Sequence, residues 1–396
     1  MECADVSRMW TDGAEYGTLH SHLYSATSAS PPTNDTTAPP DGAYEYRFDL
    51  GESFRKDVYA ANATRILYIH ARFTVVTAVD QGNAIFHCSP PGTNPIALFL
   101  NTDNTLQLSV FIGGAWFSAG SASSALATGT VYRVEWKIDS IANVFAFKLE
   151  GTDVAGDQSV TIGDIGGSAG GIEIGLSTAL GTVGQVRMDS LAINDDQGSF
   201  QNTWVGEQHV IHLHSDSAGD NTAWTPLAGN NWDNVEEVPS DDITTYNSET
   251  VLNDIDDYNY GASGLGSAVI DVVHVTDRWI NPLFIGSAKH VLRIKASSGG
   301  TVEESAELPA VTIWTMLTGN TEPKLYPLTL YDLPGASATA WTAADLDTAQ
   351  AGVRISTGGG VACRVSNLPI VVGYHSAVAA RRRVGPALMS ANAGYF

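Results

Sequence analysis

The feature of this sequence that most constrains its fold is a series of short apolar runs, each closed by Gly, Asn, Asp or Pro. Between residues 44 and 195 such runs recur at roughly ten-residue spacing, as in "YEYRFDL", "RILYIHARFTVV", "PIALFLN" and "VFAFKLEG". In "YRVEWKID" the apolar residues from Tyr132 to Ile138 alternate with charged ones, which is the period of a half-buried antiparallel strand. No convincing helical period separates the runs, so the sequence predicts an all-β protein built from β-sandwiches.

The distribution of these runs predicts two β-domains with a terminal arm at each end. Residues 1–40 end in the Pro-, Ser- and Thr-rich "SATSASPPTNDTTAPPDG" and are interpreted as an exposed N-terminal arm. The first domain is expected over 41–198, a β-bridge over 199–225 and the second domain over 226–375. Residues 376–396 lack a strand pattern and are interpreted as a C-terminal arm. Within the second domain, "TAADLDTAQAG" from Thr342 to Gly352 is the best short helix.

The charge balance restricts the partners that we expect. The chain has 20 basic and 43 acidic residues, a net charge of −23, whereas nucleic acids and anionic membranes bind cationic faces. We therefore expect neither as a partner. The clearest basic segment is "AARRRVG", where Arg381, Arg382 and Arg383 are predicted to belong to a subunit-docking arm.

Targeting and redox features are sparse in this sequence. The first residues lack a basic region followed by an apolar one, so no secretory signal is expected, and no apolar run approaches the roughly 18 residues of a membrane span. Cys3, Cys88 and Cys363 form no C-x-x-C pair, so neither a disulfide framework nor a zinc knuckle is indicated. Cys88 and Cys363 are interpreted as core thiols.

The segment "HVIHLHSDSAGDN" is a candidate metal site. On a strand, His212 and His214 would share one face and His209 would lie on the other, with Asp216 or Asp220 as a third ligand. The alternative, which we favour, is that these are partly buried or interfacial histidines.

Two acidic turns offer oxygen ligands for a structural calcium ion. These are "NDDQG", with Asp195 and Asp196, and "DIDDYN" from Asp254 to Asn259. Neither has the twelve-residue loop of an EF-hand, and Asp and Asn also occur in turns because their side chains cap the backbone. No other cofactor is expected.

The tryptophans admit two roles. Trp224, Trp232 and Trp279 could present their rings to sugars, as in lectin-like modules. Large aromatic side chains in β-sandwiches more often lie in cores or subunit interfaces, which we favour for all three.

Motifs for catalysis are missing from the sequence. Glycosidases of concanavalin A-like fold need two carboxylates close together across the sugar, and no strand here has the E-x-D-x-x-E pattern. Glu135 and Asp139 are interpreted as part of a solvated face. Because G-x-S-x-G, P-loop and Rossmann motifs are absent as well, we expect a protein that is not an enzyme.

Residues 187–249 resemble a passage that recurs in virion proteins of tailed bacteriophages. In that passage the last strand of a concanavalin A-like (laminin G-like) jelly roll ends in an Asp-rich turn, and a "W/F-x-G-x-x-x-V" strand follows. An acidic, Trp-containing segment then leads to "D-D-x-T-x-Y" at the start of a second β-domain. The matching residues here are Asp189, Asp195, Gly198, Trp204, Gly206, Val210, Trp224, Trp232, Asp241, Asp242, Thr245 and Tyr246. The chain departs from the pattern at "HLHSDS", which replaces a plain connector.

The resemblance implies a structural protein of a phage particle, either a minor tail protein or a capsid-decoration protein, with two jelly-roll domains. Its expected partners are other virion proteins and copies of itself, as a homo-oligomer, on a particle assembled in the host cytoplasm. The alternative is a lectin-like module or receptor-binding fibre that binds carbohydrate, with host-surface glycans as partners.

Overall fold

In the computed structural model of the chain, the described residues are 8–15, 26–27, 31–37, 39–57, 65–89, 94–162, 165, 171–177, 181–197, 200–282, 286–311, 314–316 and 326–377. The predicted docking arginines Arg381, Arg382 and Arg383 lie outside these residues, as does most of the predicted C-terminal arm. Within the described residues, helices are too short and too polar to cross a membrane.

The described residues of the first part of the chain form fifteen strands. They are β1 (Arg8–Asp12), β2 (Ala26–Thr27), β3 (Thr33–Asp35), β4 (Glu45–Asp49), β5 (Ser53–Lys56), β6 (Ile66–Thr77), β7 (Asn83–Cys88), β8 (Ile96–Leu100), β9 (Leu106–Ile112), β10 (Ala115–Ala119), β11 (Val131–Asp139), β12 (Val144–Leu149), β13 (Thr152–Ser159), β14 (Ile172–Gly175) and β15 (Gln185–Asp195).

The rest of the chain is also built mainly of strands. They are β16 (His209–Leu213), β17 (Ser215–Thr222), β18 (Thr225–Pro226), β19 (Asn247–Glu249), β20 (Ile255–Tyr260), β21 (Val269–Val275), β22 (Arg278–Ile280), β23 (Lys289–Lys295), β24 (Glu303–Glu304), β25 (Thr315–Met316), β26 (Leu328–Leu330), β27 (Asp332–Leu333), β28 (Ala336–Ala340), β29 (Gln350–Thr357), β30 (Cys363–Asn367) and β31 (Ile370–His375). The helical segments among the described residues are a 3-10 turn (Trp232–Asn234) and α1 (Ala343–Leu346). Thr342 and Asp345 form a capping box at the start of α1. The all-β prediction is confirmed, and α1 ends earlier than the predicted helix because Gln350 begins β29.

Two sheets form the first domain. The eight-stranded sheet has the order β13-β12-β11-β6-β15-β4-β3, with β1 also paired to β15, and the seven-stranded sheet has the order β10-β9-β8-β7-β14-β5-β2. Alternate residues of both sheets belong to one core, and Phe86 of β7 stacks on Trp136 of β11 with ring centroids 6.1 Å apart. Consecutive strands β8–β9 and β11–β12 pair antiparallel as hairpins.

The N-terminal segment was predicted to be an exposed arm, but its strand β1 is packed and buried. β1 pairs antiparallel with β15, and Trp10 is 0% exposed. The buried Arg8 guanidinium donates to Asn194 Oδ1 (2.5 Å) and Gln208 Oε1 (2.9 Å), and the Arg8 amide donates to the Tyr331 hydroxyl. One strand therefore ties the first domain to the chain that follows it.

Among the described residues, the second part of the chain has one core, three sheets of four or five strands and the two-stranded sheet β27-β28, which makes it more divided than a two-sheet sandwich. The orders are β16-β31-β21-β26, β17-β20-β29-β23-β24 and β18-β19-β30-β22-β25. The predicted bridge is corrected here, because β16 pairs with β31 and β17 with β20, so both are strands of the second domain.

The second domain and the segment before it cover part of the outer face of the eight-stranded sheet, around β6, β11 and β15. Val210 belongs to the core cluster of the first domain, and the Gly206 amide donates to Glu135 Oε1 at 2.8 Å. Glu135 is consequently only 2% exposed and His70 is 0% exposed, so the prediction that Glu135 lies on a solvated face is wrong. Of the two sheets of the first domain, the seven-stranded one keeps an outer face that includes partly exposed side chains.

His209 connects the two domains through a charged hydrogen bond. Its Nδ1 donates to Asp41 Oδ1 at 2.6 Å, its Nε2 lies 3.3 Å from Glu207 Oε1, and its ring stacks on Tyr374. The hydrogen bond to Asp41 raises the pKa of His209 above its ordinary value, although burial and Arg72 oppose the charge.

We expect His209→Gln to lower the free energy of unfolding by about 1 kcal/mol at pH 6 and by less at pH 9. Because its folded pKa is raised, His209 contributes stability below its unfolded pKa, and this contribution is lost as the pH rises through the folded value. Urea unfolding of the wild type and the His209→Gln variant at pH 6 and pH 9 measures the difference in the free energy of unfolding. A difference that stays constant or grows with pH would contradict the assignment.

Candidate functional site

Of the two histidines of the predicted metal site, His212 belongs to β16 and His214 lies between β16 and β17. The rings of His212 and His214 have centroids 6.4 Å apart. Burial lowers the pKa of His212 well below its ordinary value and that of His214 to about 4, so both are neutral at pH 7. Among the described residues, no group of three or more His, Cys, Asp or Glu side chains could hold a metal ion. Both carboxylates considered as third ligand have other partners, since Asp220 accepts from Lys295 Nζ at 2.6 Å and Asp216 Oδ1 accepts from the Ser217 hydroxyl at 3.0 Å.

The neutral state of these histidines has a measurable consequence in acid. As the pH falls from 7 to 5 the unfolded chain takes up protons at His212 and His214 and the folded chain does not, so stability falls by roughly 2 kcal/mol for each. We expect the His212→Gln, His214→Gln double variant to lose correspondingly less stability over this range, and His375→Gln serves as the control. Equal losses in the double variant and the wild type would contradict the buried neutral state.

The acidic turns form contacts with their own surroundings. Asp195 Oδ1 accepts from the Gln197 amide at 2.9 Å, and Asp196 Oδ1 accepts from the Ile66 amide at 3.3 Å. The segment predicted as the second turn is instead strand β20, so that part of the prediction is wrong, and its Asp256 Oδ2 accepts from Asn231 and Tyr258. These are the backbone-capping and side-chain contacts of the alternative that we considered, and neither segment joins the histidines in a group of metal ligands among the described residues.

The structure corrects the glycan and interface role for two of the three tryptophans. Trp224 is 2% exposed and Trp279 is 0% exposed, and both belong to the core of the second domain. Their indole N–H groups donate to the backbone carbonyls of Asp254 and Pro309. Trp232 is partly buried and packs against the same core. Trp224 and Trp279 therefore have no ring face available to a sugar.

A Cys–His–Asp arrangement that the sequence did not reveal lies between these tryptophans. His290 Nε2 donates to Asp277 Oδ2 at 2.6 Å, and Cys363 Sγ lies 3.2 Å from His290 Nδ1. Burial opposes charge on His290, but Cys363 and Asp277 outweigh it and raise its pKa to about 10. All three residues are 0% exposed, so no substrate reaches the thiol, and the group is the polar centre of a core.

The outer face of the seven-stranded sheet carries a cluster of aromatic side chains, here called the Trp116 face. Leu98 of β8 points into the core, whereas Ala97 and Phe99 of the same strand point outward and pack with Trp116. The centroid of the Trp116 ring lies 4.8 Å from that of Phe99. Across the β9–β10 hairpin it lies 5.3 Å from the centroid of the Phe111 ring. Trp116 is partly exposed, so this face presents an indole ring on a fixed aromatic base.

A row of polar side chains borders the aromatic cluster. The ring of His87 on β7 lies 5.7 Å from that of Trp116, and its Nδ1 donates to Glu173 Oε2 on β14 at 3.0 Å. Ser53 on β5 donates to the other oxygen of Glu173 at 2.7 Å. Burial would raise the pKa of Glu173, but these hydrogen bonds from His87 and Ser53 hold it below its ordinary value. Glu173 is therefore an ionised acceptor, with its side chain 33% exposed.

Sequence reasoning missed this face because both sides of its strands are apolar. In "PIALFLN" and "NAIFHCS" no alternation separates core residues from outer residues. The available signal was "GGAWFSA", where a turn places Trp116 and Phe117 next to each other on an edge strand.

Comparisons with known proteins identify no family. No family model matches the chain, and no curated protein matches it either. Solved structures with a similar fold include the cellulose induced protein Cip1, with 14% identity and a TM-score of 0.36, covering 50% of this chain and 98% of Cip1. Domain 4 of AbnA, an extracellular GH43 arabinanase of Geobacillus stearothermophilus solved with arabinotriose, has 9% identity and a TM-score of 0.37, covering 49% and 95%.

A third similar structure is the sialidase of Trypanosoma rangeli, with 9% identity and a TM-score of 0.30, covering 41% of this chain and 27% of the sialidase. The prediction that the chain is not an enzyme is contradicted, because proteins of similar fold include sialidases and a domain of an arabinanase. We withdraw that prediction, while likenesses of this size assign no activity to the chain.

Proposed function

We propose that the protein binds carbohydrate and that the Trp116 face is its binding surface. The observation that carries the proposal is the partly exposed Trp116 ring with the Glu173 carboxylate on the same outer face, where His87 contacts both, while the other face of the sheet is core. An aromatic ring packs against the C–H face of a sugar, and a carboxylate accepts hydrogen bonds from its hydroxyls.

The rigidity of the face favours binding. Phe99 and Phe111 support the Trp116 ring from the sheet, and hydrogen bonds from His87 and Ser53 fix the orientation of Glu173. A ligand therefore does not have to immobilise these side chains when it binds, which reduces the entropic cost of association.

The charges of the face favour a neutral sugar. Arg55 Nε is 2.8 Å from Asp57 Oδ1, and the His87 ring is hydrogen-bonded to Glu173, so on the described part of this face both side chains already have carboxylate partners. The net charge of −23 also disfavours the approach of a polyanion. We infer that the ligand is an uncharged polysaccharide.

The adjacent residues Trp116 and Phe117 provide a matched test. Both residues lie on β10. The Trp116 side chain packs against Ala97 and Phe99, whereas the side chain of the next residue, Phe117, is 53% exposed. We expect Trp116→Ala to weaken binding by about 2 kcal/mol, roughly thirtyfold, and Phe117→Ala to leave it nearly unchanged. Affinity electrophoresis in gels that contain mixed-linkage β-glucan, arabinan or galactomannan measures the retardation.

Two outcomes would contradict the proposal. One is a wild-type protein that none of these polysaccharides retards. The other is equal retardation of the Trp116→Ala and Phe117→Ala variants, provided that near-UV circular dichroism shows both to be folded.

We further propose that the protein works on a phage particle, as a tail or capsid-decoration component that docks with other virion proteins and with copies of itself. The support is the ordered set of short motifs from Asp189 to Tyr246. Carbohydrate binding is compatible with this setting, because a protein on the outside of a particle can contact host-surface glycans. Mass spectrometry of purified particles should detect the chain, and its absence would overturn this part of the proposal.

A further inference from the structure

A second aromatic cluster lies on the outer face of the β18-β19-β30-β22-β25 sheet and consists of Tyr246, Trp314 and Arg364, here called the Tyr246 cluster. The Arg364 Cζ is 4.8 Å from the centroid of the Tyr246 ring. The Tyr246 and Trp314 ring centroids are 6.1 Å apart at 52°. All three residues are partly exposed.

The backbone fixes the position of this cluster. The neighbours of Arg364 on β30, Cys363 and Val365, are 0% exposed and belong to the second core, so Arg364 projects from the opposite face. The Tyr246 carbonyl accepts from the Leu227 amide at 2.9 Å and from Asn234 Nδ2 at 3.3 Å.

Arg364 differs from the other arginines of the second domain in its surroundings. Arg278 pairs with Asp242 at 2.5 Å, Arg354 with Glu304 at 2.6 Å and Arg293 with Asp257 at 3.3 Å. No carboxylate of the described residues lies within 4.0 Å of the Arg364 guanidinium, whose contact is the Tyr246 ring. A guanidinium stacked on a ring keeps its N–H edge available for a carboxylate, which it binds through two parallel hydrogen bonds.

We propose that the Tyr246 cluster is a second ligand site, which takes an oligosaccharide carrying a single carboxylate. Arg364 receives the carboxylate, and Trp314 packs against the ring of the sugar that bears it. One carboxylate is preferred to several because the cluster has one cation, follows the acidic turn with Asp241 and Asp242, and belongs to a chain of net charge −23. The site is independent of the Trp116 face.

Isothermal titration with cellobiouronic acid, and with cellobiose as its uncharged counterpart, tests the site in the wild type and in the Trp116→Ala variant. We expect cellobiouronic acid to bind both proteins with a Kd on the order of 1 mM. The Trp116→Ala variant should bind cellobiose at least tenfold more weakly than it binds cellobiouronic acid. Loss of the Trp116 face alone would leave this result unchanged, so the two proposals fail separately.

Variants of the cluster show whether its residues carry the binding. Arg364→Gln and Trp314→Ala should each weaken cellobiouronic acid binding at least tenfold, and Arg364→Lys should retain part of it. Lys289→Gln removes one positive charge from the same domain, at an exposed ion pair with Glu307, and should have no effect. Absence of cellobiouronic acid binding by the wild type, equal binding of cellobiose and cellobiouronic acid by the Trp116→Ala variant, or full cellobiouronic acid binding by folded Arg364→Gln in the Trp116→Ala background would each overturn the proposal.

Discussion

The packing of two sheets through their inner faces is the constraint on which the rest of this molecule depends. In a strand, neighbouring side chains point to opposite faces, so the residues that fill the core leave every second position for another use. In the eight-stranded sheet those positions are covered by the second domain, and His70 and Glu135 are buried as a result. In the seven-stranded sheet they form the Trp116 face. The functional proposal follows from this asymmetry between the two sheets.

The covering of the eight-stranded sheet also explains the polar contacts between the domains. Polar groups that would be solvated on an isolated sandwich form hydrogen bonds instead. Arg8 donates to the side-chain amides of Asn194 and Gln208, and His209 donates to Asp41. A buried polar group without a partner is costly, so these contacts specify how the two domains meet. The first domain and the chain after it are therefore held together by the contacts of β1 and by the His209–Asp41 hydrogen bond, in addition to the covalent connection.

Alternation and turn residues predicted most of the strands between residues 44 and 195, because both signals depend on residues close together in the sequence, whereas β1 and β20 were not predicted. The hairpins β8–β9 and β11–β12 are of this kind. Contacts between distant residues were not predictable in this way. Glu135 has the pattern of a solvated position, and the Gly206 segment that covers it lies far along the chain. The His290–Cys363 contact and the core positions of Trp224 and Trp279 likewise depend on which sheets meet, which local patterns do not encode.

The same reasoning explains why the predicted site residues and the site proposed from the structure differ. Histidines, carboxylates and tryptophans attracted attention as residue types, but their neighbours in space decide their chemistry. His212 and His214 are buried and neutral, whereas Trp116 and Glu173 lie on an accessible face with fixed supports. The most direct test of this account is a crystal structure of the chain with a bound neutral hexasaccharide, such as one from mixed-linkage β-glucan. The account predicts a sugar ring about 4 Å above the Trp116 indole, with a hydroxyl hydrogen-bonded to Glu173. A hexasaccharide bound elsewhere, with the Trp116 face vacant, would contradict it.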